Sequence, residues 1–283
     1  MTVDRRAFLA ALAALACARA RPAGGPALRV VSLSPATTEA VFALGHGPRV
    51  VGRSRYCDFP PEVKSVPPVG GFVDPSLEAI LGVKPDLVVG VQGPGLRDFA
   101  ERLDARGIGT FFPPTQSFAE IGAMLVGLAR RLGDESRGEA ERTRLERERL
   151  QVEQAIVGRP RPRALFVFGL RPIVVAGAGS FPDEMLRLAG ASNAIVGDEQ
   201  RFPTLGVERV LALDPDVVID ATGGAMREGI SITKDLPGWG EIRAVREGRL
   251  IVASDDRLLR PGPRVGQGLA ILARALHPGA SIP

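Results

Sequence analysis

The sequence has few of the side chains that enzymes use for covalent or metal-assisted chemistry. It contains two cysteines, two histidines, one tryptophan and one tyrosine among 283 residues. Neither His46 nor His277 has an obvious acidic partner, and we expect both at the surface. No H-E-x-x-H or C-x-x-C spacing occurs, and the G-x-G-x-x-G turn and the Walker sequence are both missing. The sequence therefore predicts no catalytic residues, no metal ligands and no resident cofactor.

The chain also lacks an excess of charge once its N-terminus is set aside. The formal net charge is +4 and the isoelectric point is near 9.6, but residues 1–21 hold four arginines against one aspartate. The remainder is close to neutral, which argues against a nucleic-acid partner because phosphate backbones attract strongly basic surfaces. Hydrophobic residues make up 45% of the chain and charged residues 24%, as is typical of globular proteins.

Residues 1–21 have the pattern of a twin-arginine export signal. Arg5-Arg6 precedes an apolar run over 8–16 that is too short to span a bilayer. Residues 18–20 (ARA) offer a cleavage site, whereas residues 15–17 form a partial lipobox that leaves a lipid anchor at Cys17 open. In either case we expect the mature protein in the periplasm.

A charged helix is predicted over 134–158. Glutamate and arginine stand three residues apart in it, which brings opposite charges together on one helix surface. Its apolar residues are too few for the stripe of a core-facing helix. It is therefore either a solvated surface helix of a single domain or a rigid polar helix that joins two domains. The pairs are Glu139/Arg142, Glu141/Arg144 and Glu146/Arg149.

An internal repeat favours a helix that joins two domains. Residues 77–90 (LEAILGVKPDLVVG) match residues 207–220 (VERVLALDPDVVID), with the Pro-Asp pair in the same place in both copies. The charged helix lies between the copies. The repeat predicts two similar α/β lobes, over 28–133 and 162–283, in which apolar strands form sheets with helices on both faces.

A proline-rich loop over 54–75 has no counterpart in the second half. It contains Tyr56, the only tyrosine, together with Phe59 and Phe72. Open α/β sheets bind ligands at the carboxyl ends of their strands, where such loops lie. The aromatic side chains therefore either line a binding site or pin the loop to its own lobe. Cys57, in the same loop, is expected to be a packed thiol, and it is the only cysteine if the signal is removed, which excludes an internal disulfide.

Two further pairs of residues can each be interpreted in two ways. Asp256 and Arg260 stand four apart after the last strand, where they would either bind a polar ligand edge or form a plain surface ion pair. Glu78 and Glu208 occupy the same place near the start of a helix in each copy. They would either interact with the helix dipole or present one exposed carboxylate per lobe to a two-fold symmetric partner.

Several segments together resemble the class of periplasmic binding proteins for cobalamin, haem and iron–siderophores. The segments are 29–45 (RVVSLSPATTEAVFALG), 54–61 (SRYCDFPP), 77–89 (LEAILGVKPDLVV) and 239–252 (WGEIRAVREGRLIV). The resemblance implies an α/β fold of two Rossmann-like lobes with parallel central sheets, joined by a single long α-helix. It also implies a monomer that delivers a small-molecule ligand to a dimeric ABC permease in the inner membrane. Within this class the sequence is most similar to the cobalamin-binding proteins.

The resemblance assigns roles to individual residues. Tyr56 takes the place of a ligand-contacting tyrosine, and Phe72 and Phe202 take the places of two tryptophan walls. Phe168, Asp256 and Arg260 also fall on ligand-facing positions, and Glu78 and Glu208 correspond to the glutamates that dock on the permease. The expected ligand is a corrinoid, with haem or a ferric siderophore as second choices because Tyr56 remains available to iron. An extracytoplasmic enzyme on the same scaffold, or a protein that docks without a ligand, would also be compatible with the sequence.

Overall fold

The first half of the chain forms a parallel sheet. The computed structural model describes residues 25–93, 95–197, 200–223 and 231–283, so the predicted export signal, its cleavage site and Cys17 lie outside the described residues. The sheet has the strand order β2-β1-β3-β4, and all neighbouring strands are parallel. Its strands are β1 (Val30–Ser32), β2 (Val50–Arg53), β3 (Leu87–Val89) and β4 (Gly109–Phe111).

Helices cover both faces of this sheet, which explains why β1 and β3 are buried throughout. Each helix starts or ends at a residue suited to that place. Ser117 caps the last of them by accepting a hydrogen bond from Glu120 N, and Gly133 ends it in the left-handed conformation, with φ of 81°. The helices are α1 (Pro35–Ala43), α2 (Leu77–Gly82), α3 (Leu96–Asp104) and α4 (Phe118–Leu132).

The second half forms a mixed sheet in the order β10-β9-β5-β6-β8, with β7 also paired to β5. Strands β7, β5, β9 and β10 are parallel, as predicted, but β6 and β8 are antiparallel to their neighbours. Strand β6 was not predicted from the sequence. The chain reverses at Arg171-Pro172, and β6 then pairs directly with β5. The strands are β5 (Arg163–Leu170), β6 (Ile173–Val175), β7 (Ser192–Asn193), β8 (Thr204–Leu205), β9 (Val217–Asp220) and β10 (Leu250–Val252).

The charged helix, α5 (Glu135–Ala155), connects the two sheets, and the three predicted ion pairs are present on it. Although its apolar residues are too few for a full core-facing stripe, two of them are buried. Leu145 and Val152 are each only 2% exposed. At Gly138 an added Cβ would lie 2.6 Å from Ala129 Cβ and 2.9 Å from Val126 Cα, so α5 packs closely against α4. One face of the helix is therefore part of the protein interior.

Further helices in the second half complete the scaffold: α6 (Phe181–Leu188), α7 (Val207–Leu213), α8 (Arg243–Arg246), α9 (Asp256–Leu259) and α10 (Val265–Leu276). One hydrophobic cluster extends from Val30 and Leu125 through Leu145 to Phe166 and Leu269, and so joins the two lobes along α5. Two smaller clusters lie on the other faces of the two sheets. Within the described residues, no helix combines the length and apolar composition that a membrane span requires.

The Pro-Asp repeat has a structural role. Asp86 accepts hydrogen bonds from Leu28 N (3.0 Å) and Arg29 N (2.9 Å), and Asp216 accepts one from Arg163 N (2.9 Å). Arg29 and Arg163 then donate to carbonyl groups near the ends of α2 and α7. Each aspartate thus fixes the start of the first strand of its own sheet. This explains why the motif occurs once in each half.

Candidate ligand-binding site

The loop that follows β2 is anchored to the first lobe by its cysteine. Cys57 is 1% exposed, and its sulfur lies 3.0 Å from Thr38 Oγ1, which donates to it. Burial raises the pKa of this thiol, so the prediction of a packed thiol is confirmed. The preceding Tyr56 points outward and is 52% exposed. Its ring lies 5.7 Å from the Arg55 guanidinium, which is itself paired with Asp74 at 2.8 Å.

In the second lobe, three phenylalanine rings contact one another in a row from the core to the surface. Phe166 is fully buried and stacks on Phe168 at a centroid distance of 5.0 Å, and Phe168 meets the edge of Phe202 at 5.7 Å. Phe202 is 46% exposed. The structure therefore brings Phe168 and Phe202 together, and both ring pairs have arrangements that aromatic side chains prefer.

The backbone around Phe202 is held firmly. Gly177 N donates to Arg201 O at 2.8 Å, and Val175 N donates to Pro203 O at 3.1 Å. Gly177 is required here because an added Cβ would lie 2.2 Å from Gln200 O. The half-exposed ring of Phe202 is thus presented by a fixed segment.

Phe72 lies elsewhere. Its ring packs against the hydrophobic cluster of the first lobe and closes on Gly93, where an added Cβ would lie 2.7 Å from Phe72 Cζ. Of the aromatic residues in the loop, Phe72 matches the interpretation in which the ring pins the loop to its own lobe. Its predicted role as a wall facing Phe202 stays a prediction.

Asp256 and Arg260 form the ion pair seen in the sequence, at 2.7 Å, but that pair is part of a larger network. Arg260 also donates to Asp58 (2.8 Å) and Glu39 (3.2 Å) in the first lobe. Its side chain is only 15% exposed. Burial alone would lower the pKa of Arg260, but the hydrogen bond to Asp58 and the charges of Asp256 and Asp58 outweigh it, so the net shift is upward.

Arg264 completes this cross-lobe network. It donates from Nε (2.7 Å) and Nη2 (2.6 Å) to the two carboxylate oxygens of Glu39, whose side chain is 2% exposed. Its guanidinium also lies 3.8 Å from the centre of the Phe59 ring. The cross-lobe network thus consists of Glu39, Asp58, Asp256, Arg260 and Arg264. Sequence reasoning missed Glu39, Asp58 and Arg264, although a glutamate as the one charged residue of the ATTEAVFA helix indicates a buried ionic partner.

A second contact joins the lobes at another point. Gln116, just before α4, accepts a hydrogen bond from Phe181 N at the start of α6, at 3.1 Å. This amide satisfies one of the backbone N–H groups that a helix start leaves unpaired. The two lobes are therefore tied together by α5, by the cross-lobe network and by Gln116.

The two predicted docking glutamates occupy matching places. Glu78 is the second residue of α2 and Glu208 is the second residue of α7, and both side chains are exposed. The helix caps are Ser76 and Gly206. Asp74, two residues before the first of these caps, is paired with Arg55 instead.

A groove of about 860 Å³ lies beside the cross-lobe network, between α1, α5 and α10. It is lined in part by Phe42, Val66, Glu141 and Gln267, and by none of the six predicted ligand residues. Glu39 and Arg264 of the cross-lobe network also line this groove.

The histidines differ from expectation. His277 is buried, with its Nε2 2.9 Å from Ala189 O, so its prediction as a surface residue is wrong. His46 lies 3.7 Å from Asp134, an acidic neighbour that sequence reasoning did not find. Burial and the nearby Arg49 lower the pKa of His46. Among the described residues, no group of three or more His, Cys, Asp or Glu is arranged to hold a metal ion.

Two α/β lobes on a connecting helix, with half-exposed aromatic rings beyond the sheets, define a protein of the substrate-binding class. A family model described as periplasmic binding protein matches residues 30–256, and the chain belongs to this family. The resemblance inferred from the sequence is confirmed, as is the two-lobed α/β fold.

Individual relatives bind different ligands. The chain is 30% identical over 248 residues to the vitamin B12-binding protein of Salmonella paratyphi A, covering 88% of this chain and 90% of that protein. It is 28% identical over 258 residues to an uncharacterised ABC transporter substrate-binding lipoprotein of Bacillus subtilis, covering 88% and 80%. Among solved structures, the periplasmic haem-binding protein of Roseiflexus sp. RS-1 in its apo form is 32% identical, with a TM-score of 0.73, and the match covers 89% of this chain and 98% of that one.

Proposed function

We propose that the protein captures a corrinoid between its lobes and delivers it to an ABC permease dimer in the inner membrane. The observation that carries this proposal is the half-exposure of Tyr56 and Phe202, one in each lobe, on loops beside the sheets. A fully buried aromatic side chain contributes about 1.5–3 kcal/mol, so two rings that are already half-buried leave roughly that much to be gained by covering them with the ring surface of a large ligand. Similarity to the vitamin B12-binding protein of Salmonella supports the choice of ligand.

Calorimetric titration with cyanocobalamin and with haemin tests the proposal. We expect heat release with cyanocobalamin, and a reduced affinity for it in Phe202→Ala, because the row of phenylalanine rings loses its exposed member. Phe112→Ala, which changes a partly buried ring of the first lobe's core, serves as a control for general loss of packing. Heat with haemin alone would contradict the corrinoid assignment.

Haem is the second candidate, and a specific observation favours it. The haem-binding relative matches this chain over nearly its whole length, and Tyr56 presents an exposed phenol that could ligate ferric iron. A ferric siderophore would use the same exposed surface. Tyr56→Phe distinguishes a corrinoid from an iron-containing ligand, because it keeps the aromatic ring and removes the phenol oxygen. We expect this variant to keep its affinity for cyanocobalamin, whereas a large loss for haemin would mark the phenol as an iron ligand.

Docking on the permease is assigned to Glu78 and Glu208. Their matching places in the two halves suit a permease with two-fold symmetry. The double variant Glu78→Arg/Glu208→Arg should abolish ligand uptake in cells while leaving ligand affinity unchanged. Glu101→Arg, a charge reversal at another exposed glutamate, is the control. Unchanged uptake in the double variant would exclude these residues as the docking pair.

The proposed location is the periplasm, reached through the twin-arginine signal over residues 1–21. Arg5→Lys/Arg6→Lys should retain the protein in the cytoplasm. Cys17→Ser separates the two fates of the exported protein, because it releases a lipid-anchored form from the membrane and leaves a cleaved form unchanged.

A further inference from the structure

The loop that presents Tyr56 is contacted from both lobes. Cys57 anchors it to the first lobe, while Asp58 and Phe59 extend toward the second lobe and meet Arg260 and Arg264. Tyr56, Cys57 and Asp58 are consecutive. Asp58, which Arg260 holds, is therefore separated from Tyr56 by only one residue, the buried Cys57.

The two arginines of the second lobe contact the first lobe through charged hydrogen bonds and a ring contact. Arg264 binds Glu39 through two parallel N–H groups, an arrangement that fixes direction as well as distance. The same guanidinium stacks on Phe59, and Arg260 is shared between Asp58, Glu39 and Asp256. Because Glu39 and Arg260 are largely removed from water, the contact between them is little weakened by solvent or salt, whereas the side chains of Asp58 and Asp256 are 40% and 45% exposed.

Arg257, in the same region, does not make such contacts. It stands three residues before Arg260 and binds Asp255 (2.5 Å) and Gln267 (3.2 Å), both within the second lobe. The cross-lobe contacts of Arg260 and Arg264 are therefore not a general property of this arginine-rich segment.

We propose that Arg260 and Arg264 are positioning residues, which hold the Tyr56 loop of the first lobe from the second lobe and so set the shape of the ligand site before the ligand arrives. The part of this proposal that concerns affinity rests on the proposed function. It differs from the sequence-based role of Arg260, in which that side chain binds the ligand directly. A site that is shaped in advance binds more tightly because less order has to be imposed on binding.

The single tyrosine makes the loop directly observable. Protein that incorporates 3-fluorotyrosine has one ¹⁹F resonance, and this resonance reports on Tyr56 without any ligand. We expect it to shift or to split in Arg260→Gln, Arg264→Gln and Asp58→Asn, and to stay at its wild-type position in Arg257→Gln. Circular dichroism checks that each variant is folded. Asp58→Asn is the mildest change and keeps the experiment decisive if an arginine variant does not fold.

A double-variant cycle tests whether Arg260 acts through Asp58. The resonance of Arg260→Gln/Asp58→Asn should move no further than that of Arg260→Gln alone, because both changes break the same contact. Additive shifts would overturn this route. A wild-type resonance in all three single variants would overturn the proposal as a whole.

Ligand titration separates this proposal from the proposed function. For cyanocobalamin we expect Asp58→Asn and Arg260→Gln to lose affinity at least about fivefold, and Arg257→Gln to lose none. If the wild-type protein binds neither cyanocobalamin nor haemin, the proposed function fails, while the ¹⁹F result still decides the role of the arginines. If Arg260→Gln loses affinity but Asp58→Asn does not, and the resonance is unchanged, Arg260 contacts the ligand directly and the positioning role is refuted.

Discussion

The connecting helix α5 offers a sharp test of how the two lobes are held together, because it carries the same residue type in two environments. Leu145 is 2% exposed and belongs to the continuous core, whereas Leu150 is 42% exposed. Replacing either leucine by alanine changes helix propensity equally and slightly. The difference between the two variants therefore isolates the burial of one side chain in α5.

The expected magnitudes are well separated. Leu145→Ala removes buried methyl groups and leaves a cavity, which costs about 2–5 kcal/mol of unfolding free energy. Leu150→Ala should change the unfolding free energy by about 0.5 kcal/mol or less, as is usual for an exposed position. We thus expect the midpoint of urea unfolding to fall clearly in the first variant and to stay near wild type in the second.

Two probes make the assay stricter. Far-ultraviolet circular dichroism follows the whole chain, and the fluorescence of Trp239, the only tryptophan, follows the second lobe alone. Because the core is continuous along α5, both probes should report one transition in the wild-type protein. Equal midpoints for the two variants would refute the buried role of α5, and two separate transitions would refute the coupling of the lobes.

Local packing and charge support three more predictions. Gly138→Ala should destabilise the protein by about 1–3 kcal/mol in chemical denaturation, because its Cβ would meet the α4 backbone, whereas Gly82→Ala has open space and should be neutral or stabilising. Asp216 accepts a hydrogen bond from Arg163 N and a second one from an arginine side chain, and both lower its pKa, the first one most. The contribution of Asp216 to stability is therefore present above the usual aspartate pKa and is lost as the pH falls through the folded-state value. Asp216→Asn should therefore be less stable than wild type at neutral pH, and denaturation at stepped pH should show that margin shrinking in acid; a constant margin would contradict this reasoning. The Cys57 thiol, buried and with a raised pKa, should resist iodoacetamide in the native protein and react fully in urea, as measured by mass spectrometry of its peptide.

Local and repeated features of the fold could be predicted from the sequence. The matching Pro-Asp motifs predicted two similar lobes, and Asp86 and Asp216 make equivalent contacts in them. The three ion pairs on α5 follow from spacing along a single helix. These predictions succeeded because the interacting groups are close together in the chain or follow one regular period.

Contacts between distant segments could not be predicted in this way. Glu39 and Arg264 are 225 residues apart, and nothing in the local pattern of either one identifies the other. The antiparallel strand β6 was missed because an apolar run beside β5 has no period that distinguishes its direction. The burial of Leu145 in a helix with so little apolar surface depends on α4 and α10, which approach it only in the folded protein.

The central claim is that aromatic side chains of both lobes bind one large flat ligand. Absorption spectroscopy tests it most directly: the protein is incubated with equimolar cyanocobalamin and haemin, separated from free ligand by gel filtration, and scanned for the bands of each. We predict corrinoid bands in the wild-type protein and their loss in Tyr56→Ala/Phe202→Ala. A Soret band instead would assign the site to haem, and corrinoid bands that persist at full intensity in the double variant would contradict binding between these rings.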